Sequence, residues 1–257
     1  MMECNACDRS ENRLLTRMDD SVWRDLEPSA CWVSYGAGQI VSRAGDPLGT
    51  VLFPTSLVVS FGSDLGGDGL IGSEGLVGWS AMTGCALSFD STLAVLDGGR
   101  ALCVPATDLR ASCLRDPRFL RVLLRFAQTV AVQMSTTISS LRSDDVEARL
   151  ARWLVMLHDR RPGDELSMTH ERLAELMGVR RASVTDTLHK LEGEHLVRGT
   201  RGNIHVRDRA GLERAAGPNY GGAEQVYEEL ISGDQSERSS FIHPSLARVS
   251  NGAAPSL

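Results

Sequence analysis

Arg180 and Arg181 stand side by side, followed by Ala182, Ser183, Thr185, Asp186, His189 and Lys190, with Arg201 further along the chain. A guanidinium is a planar fork of donors that matches the O6 and N7 acceptors of guanine or the oxygens of a phosphate. Ser183 and Thr185 can bond a phosphate or a base edge, and Asp186 can accept from cytosine N4 or orient an arginine. His189, Lys190 and Arg201 suit phosphates, contacts that position a protein without specifying a sequence. Thr169 joins the same candidate set. Residues of these types read duplex DNA if one element presents them on one face.

The spacing supplies that element. Ser167 or Thr169 is a candidate N-cap, with the first turn beginning at Glu171 or Arg172. Leu173, Leu176 and Met177 give the first helix an apolar stripe, and Gly178 frees the chain for a tight turn. A second helix is expected from Arg180 to Gly193, burying Val184, Leu188 and Leu191 and exposing Arg180, Arg181, Ser183, Thr185, Asp186, His189 and Lys190. Leu196-Val197-Arg198 and Asn203-Ile204-His205-Val206 read as two strands joined through Gly199-Thr200-Arg201-Gly202. Two helices with a tight turn and a following hairpin make a winged helix-turn-helix, whose second helix enters the major groove N-terminus first.

At these residues the chain resembles a known family. LARWLVMLHDR, LAELMGVRRASVTDTLHKLEGEHLVR and RGNIHVRDRAGLE are similar to the C-terminal domain of the Crp/Fnr superfamily of bacterial transcription regulators. Upstream, ENRLLTRM, GQIVSRAGDPLGTVLFPTSLVVSF and GSEGLVG resemble the N-terminal β-roll sensor domain of that superfamily. The likeness spans about residues 11 to 217. It implies that Arg181, Ala182, Ser183, Thr185 and Asp186 face the groove, and that the partners are double-stranded DNA, a second copy of the chain and RNA polymerase. The FPTS and GxEGxVG wording marks a branch that departs from the cyclic-AMP receptors.

Charge is unevenly placed. The 257 residues carry a net −6, but Ala148 to Gly217 holds 13 Lys+Arg against 10 Asp+Glu, so the remainder is −9. The positive excess lies where phosphates would be met. No run of about 18 apolar residues suggests a membrane span. The opening MMECNACDRSENR lacks a basic segment followed by an apolar one, so no secretory signal is expected. Six irregularly spaced cysteines suit reduced, cytoplasmic surroundings. Cys4 and Cys7 form a CxxC, which raises an iron–sulfur or redox sensor as an alternative. The remaining thiols are Cys31, Cys85, Cys103 and Cys113, the close third N-terminal cysteine of such sensors is missing, and Cys103 reads as core. No cofactor or metal is therefore expected.

Between Leu14 and Leu109 short apolar runs alternate with glycine. Ile40-Val41, Val51-Leu52-Phe53, Leu57-Val58-Val59, Leu93 to Leu96 and Ala101 to Val104 are strand candidates, with turns at Gly36 to Gly38, Gly45 to Pro47, Gly66 to Gly69 and Asp97 to Gly99. That pattern predicts a roll of jelly-roll type. In the sensors this domain resembles, a glycine-rich turn cradles a phosphate, a Glu binds ribose and an Arg-Ser or Arg-Thr pair neutralises the charge. Here the turn Gly72 to Gly78 offers Glu74 and Gly75, and Phe89-Asp90 falls where the arginine pair belongs. No arginine occurs between Arg43 and Arg100. A tight structural turn is the favoured reading of Glu74 and its glycines. All six histidines (His158, His170, His189, His195, His205 and His243) lie outside the roll, which argues against a metal-dependent enzyme of cupin type.

Asp116-Pro117 opens a long helix with Asp as N-cap and Pro at N1. Its Phe119, Val122, Leu123, Phe126, Val130, Met134, Thr137, Ile138 and Leu141 suggest a coiled-coil-like seam, shared between a partner copy and the chain's own roll. Ser143-Asp144-Asp145 reads as a hinge. A helix from Val146 to about Asp159 then turns Leu150, Trp153, Leu154 and Leu157 inward. Val226, Leu230 and Ile231 suggest a short helix in the tail, and the Ser/Gly/Pro-rich end from Ser232 is expected to be disordered.

The expected fold is α+β. It comprises a flexible arm (1–13), a double-stranded β-roll of the cyclic-nucleotide-binding type (14–115), a dimerisation helix (116–143), a winged helix-turn-helix (144–217) and a partly disordered tail (218–257). The function expected is sequence-specific regulation of transcription by a homodimer on a palindromic site, with the effector unidentified. An effector-free protein-interaction module is the competing reading. Because a carboxylate replaces the phosphate-binding arginine, titration calorimetry with cyclic AMP or cyclic GMP should show no micromolar binding; a micromolar isotherm for either overturns the assignment of Phe89-Asp90.

Overall fold

The computed structural model describes residues 8–63, 66–84 and 92–232. Cys4, Cys7, Cys85, Phe89 and Asp90 lie outside those residues. Helix α1 (Asp20–Leu26) precedes strands β1 (Cys31–Tyr35), β2 (Ile40–Ser42), β3 (Thr50–Pro54), β4 (Val58–Ser63), β5 (Gly66–Ile71), β6 (Thr92–Asp97) and β7 (Gly99–Pro105). These form two antiparallel sheets, β1-β7-β3 and β2-β6-β4-β5, which enclose a core that includes Phe53, Leu57, Val59 and Leu102. Helix α2 (Ala106–Arg115) leads into α3 (Pro117–Ser143). The C-terminal half follows as α4 (Val146–His158), β8 (Glu165–Leu166), α5 (His170–Met177), α6 (Arg181–Gly193), β9 (Val197–Thr200), β10 (Asn203–Val206) and α7 (Arg209–Ala216). The tail adds α8 (Gly222–Tyr227) and a wide turn, Glu228–Ser232. Mixed helix and sheet in this order is the expected α+β architecture.

Local chemistry explains the long helix. Asp116 accepts from the backbone N–H groups of Arg118 and Phe119 at 3.1 Å, and Pro117 occupies the first helical position. Asp145 caps α4 in the same way by accepting from Ala148 N at 2.9 Å.

Several expectations need correction. The arm predicted to be flexible through residue 13 is already anchored at Asn12, which is fully buried. Its Nδ2 donates to the carbonyls of Pro54 and Gly75, and its Oδ1 accepts from Leu14 and Leu15 N. The expected seam on α3 is divided: Phe119, Val122, Leu123, Phe126, Val130 and Thr137 are buried, most of them in the core of the roll, whereas Ile138 and Leu141 are exposed. Two apolar stripes on one helix sum in the sequence and separate only when one face is covered. The stripe left outside includes Leu120, Leu124, Ala131, Ile138 and Leu141; Ala127 and Met134, half-buried, complete its alternating steps of four and three, and Met134 also packs on the roll core.

The expected turn at Gly66 to Gly69 is instead strand β5, paired with β4. Its glycines are there because neighbours come too close for a side chain. A Cβ on Gly67 would lie 2.4 Å from Leu176 Cδ1, and one on Gly69 2.0 Å from Gln133 Oε1 and 2.5 Å from Phe61 Cζ. The Gln133 oxygen accepts from Leu70 N at 2.5 Å, an arrangement that a Gly69 side chain would push apart. Gly69→Ala should therefore destabilise the protein by about 1–3 kcal/mol. A lower urea midpoint at unchanged slope is the expected result, and an unchanged midpoint contradicts the packing.

Candidate nucleic-acid interface

Thr169 caps α5, its Oγ1 accepting from Arg172 N at 3.2 Å. The helix ends where Gly178 takes φ 63°, with Gly178 N bonded to Glu175 O and Val179 N to Ala174 O. This is a Schellman ending, which satisfies two orphan carbonyls and redirects the chain into α6. Leu173, Leu176 and Met177 of α5 and Val184, Leu188 and Leu191 of α6 are all buried in one cluster with Leu150, Trp153 and Leu154 of α4. The inner faces of both helices are thus fixed, and the outer face of α6 is set by the 3.6-residue period.

On that outer face Arg180, Arg181, Ala182, Asp186, His189 and Lys190 are exposed, and Ser183 and Thr185 are half-buried. Thr169 is exposed at the start of α5. Arg181 lies 3.7 Å from Glu171, with both side chains more than half exposed, a loose pair that solvent screens. Thr185 Oγ1 donates to Arg181 O at 3.1 Å and sits 2.9 Å from His170 Nδ1, which ties α5 to α6. Lys190 pairs with Glu147 of α4, so its ammonium reaches a phosphate only by leaving that carboxylate.

The hairpin pairs Asn203 with Thr200, which shortens the expected four-residue turn to Arg201-Gly202, with Gly202 at φ 81°. Glu192 of α6 accepts from Gly199 N at 2.5 Å and anchors the hairpin to the helix. Arg201 is exposed at its tip. Arg198, His205 and Arg207 are exposed as well, alternating with buried Val197, Ile204 and Val206. The period-two alternation in VRGT and NIHVR was the signal for these three, and reading the hairpin only at its tip passes over them. Arg180, Arg181, Arg198, Arg201 and Arg207 give the helix and wing a cationic outer surface.

The sensor residues form a different kind of site. Gly72 N donates to both Glu74 carboxylate oxygens at 3.1 Å, and Glu74 Oε1 accepts from Arg160 Nε at 2.8 Å. Both side chains are largely shielded, Arg160 at 7% exposure and Glu74 at 16%, so this ion pair acts in a low dielectric. Gly75 is small because a Cβ there would lie 2.5 Å from Phe126 Cζ of α3. Glu74 is therefore engaged by the chain itself, as a structural turn requires. Among the described residues no group of three or more His, Cys, Asp and Glu side chains could hold a metal ion. No helix among them is long and apolar enough to cross a membrane.

Comparisons with known proteins agree with this geometry. Residues 148–215 match the family model described as a Crp-like helix-turn-helix domain. Over 113 residues the chain is 32% identical to the transcriptional regulator LdrP of Thermus thermophilus, covering 40% of this chain and 58% of the relative. The chain thus spans little more than half the length of that curated relative. Among solved structures, a CRP/FNR-family transcriptional regulator from Thermus thermophilus superposes with a TM-score of 0.58 at 22% identity, covering 72% of this chain and 97% of that one. The c-di-GMP responsive global regulator CLP of Xanthomonas campestris gives 0.60 at 21% identity, covering 73% and 99%. At such identities the likeness establishes the fold, which extends through the β-roll and the long helix as well as the winged domain.

Proposed function

We propose that this chain, whose C-terminal domain is a Crp-like helix-turn-helix, is a sequence-specific DNA-binding regulator of transcription. The observation that carries the reading is the division of α6. Val184, Leu188 and Leu191 are held at 0–2% exposure, while Arg180, Arg181, Ser183, Thr185 and Asp186 remain on the opposite side. With α6 in the major groove, Arg180 and Arg181 enter first and at least one reads a guanine, while Thr169, His189, Arg201 and the wing arginines meet phosphates. Lys190 contributes once Glu147 releases it.

The protein acts as a homodimer on a palindromic site in this reading. Leu120, Leu124, Ile138 and Leu141 of α3 are 36–63% exposed, and the 4-3 spacing of their stripe matches a two-helix seam. A two-fold axis along α3 would set two copies of α6 about one DNA turn apart, roughly 34–36 Å. RNA polymerase is the partner through which such a regulator would act, in the cytoplasm. In this reading cyclic AMP is not the effector, which the hydrogen bonds of Glu74 to Arg160 and Gly72 support.

Two measurements test this. Selection from a random DNA pool should return a palindrome, and Arg181→Ala should cost about 1–3 kcal/mol and relax one base preference per half-site. Recovery of the unaltered motif by that variant removes Arg181 from base reading. Leu124→Glu, placed at an exposed position, should leave the chain folded, with an unchanged circular dichroism spectrum, while converting a dimer to a monomer in sedimentation and making its melting temperature independent of protein concentration. A dimer that persists overturns the seam.

A further inference from the structure

Beyond α7 the chain turns back toward the roll, and each step of its return is bonded. Asn219 Nδ2 donates to both oxygens of Asp144, at the hinge, at 2.9 Å. Its carbonyl accepts from Arg152 Nε at 2.8 Å. Arg152 is 2% exposed and also donates to Thr136 and Thr137 of α3, so the half-buried Asn219 joins a network that spans α3, the hinge and α4. Tyr220 OH donates to Asp159 at 2.9 Å and accepts from Arg209 at 2.9 Å. Helix α8 then lies along α3. Tyr227 and Ile231, at 6% and 1% exposure, enter the core of the roll, not that of the winged domain. Tyr227 OH donates to Glu74 O at 2.9 Å, and Leu230 O accepts from Arg125 of α3 at 3.1 Å.

Thus a segment that begins on the winged domain ends inside the other core. The segment Asp144-Asp145 is the direct connection between α3 and α4, and the tail makes a second one in parallel. Beneath it lies a cavity of about 280 Å³ bounded by Glu74, Phe126, Gln133, Arg160, Tyr220 and Tyr227. We propose that residues 219–231 are an intramolecular strap: they occupy the groove between the Glu74 turn and α3, latch the hinge through Asn219, and hold the winged domain in one orientation on the roll. The groove is an interaction site whose resident is the chain's own C-terminal segment, anchored by one aromatic and one aliphatic side chain. The strap is independent of what α6 binds.

Hydrogen exchange on the full chain, without DNA, tests it. A strap couples places distant in sequence, whereas a merely packed tail does not. Ile231→Asp, which puts a charge into the roll core at the end of the strap, should raise exchange at least tenfold in 222–231, in the Glu74 turn (72–77) and at the hinge (143–147) together. Exchange in α6 and the wing should stay as in the parent chain. Asn219→Ala leaves both cores intact and should raise exchange at 143–147 several-fold, giving a second reading if the first variant folds poorly. Faster exchange confined to 222–231 in Ile231→Asp, or an unchanged hinge in Asn219→Ala, overturns the strap.

Discussion

The close approach of the winged domain to strand β5 is the constraint on which the rest of the structure depends. Gly66 and Gly67 present bare backbone to Leu176 and Gly178 of the helix-turn-helix; a Cβ would lie 3.3 Å from Leu176 O at Gly66 and 2.4 Å from Leu176 Cδ1 at Gly67, so side chains there would crowd the contact. Around that contact Arg172 of α5 donates to the carbonyls of Val95 and Leu96 at 3.1 and 3.0 Å, Arg161 pairs with Asp97 at 2.6 Å, and Arg160 with Glu74 at 2.8 Å. Breaking a shielded pair such as Arg160–Glu74 by removing one partner typically costs about 3–5 kcal/mol, because a charge is left without solvent or counter-ion. These ties make the orientation of α6 a property of the roll as much as of its own domain.

That arrangement assigns arginine two distinct uses. Arg152, Arg160, Arg161 and Arg172 are buried or half-buried and join parts of the chain. Arg180, Arg181, Arg198, Arg201 and Arg207 are exposed on the helix-turn-helix and wing. The modest net charge of the C-terminal region conceals this sorting, since an arginine neutralised by Glu74 or Asp97 contributes nothing to attraction of a polyanion.

Helix α3 serves both halves through its two faces. Phe119, Phe126 and Val130 close the roll, Gln133 and Thr137 bond β5, and the Leu124–Ile138–Leu141 side stays outside. Any shift of α3 relative to the roll must therefore be felt at β5 and, through the glycine contact, at α5. The tail, seated against the same helix, adds a third element to that linkage.

The local sequence was enough to specify the winged helix-turn-helix. Apolar spacing in LAELM and VTDTLHKL, a capping threonine, Gly178 and an alternating hairpin are short-range signals, and the elements they specify bury their own faces. The strands at Ile40, Val51, Leu93 and Ala101 were legible for the same reason. What the sequence left open involves contacts between residues far apart in the chain. Gly66 to Gly69 reads as a turn until Leu176 and Gln133 are seen against it, and the two stripes of α3 merge until the roll covers one. Asn12 reads as part of a polar arm until Pro54 and Gly75 surround it, and nothing local in the tail points to Glu74 or Asp144. Period and capping act within a few residues, so the chain alone determined α3 to α6 and the β9–β10 hairpin; burial and ion pairing act through space, so only the tertiary structure decided which faces remained free.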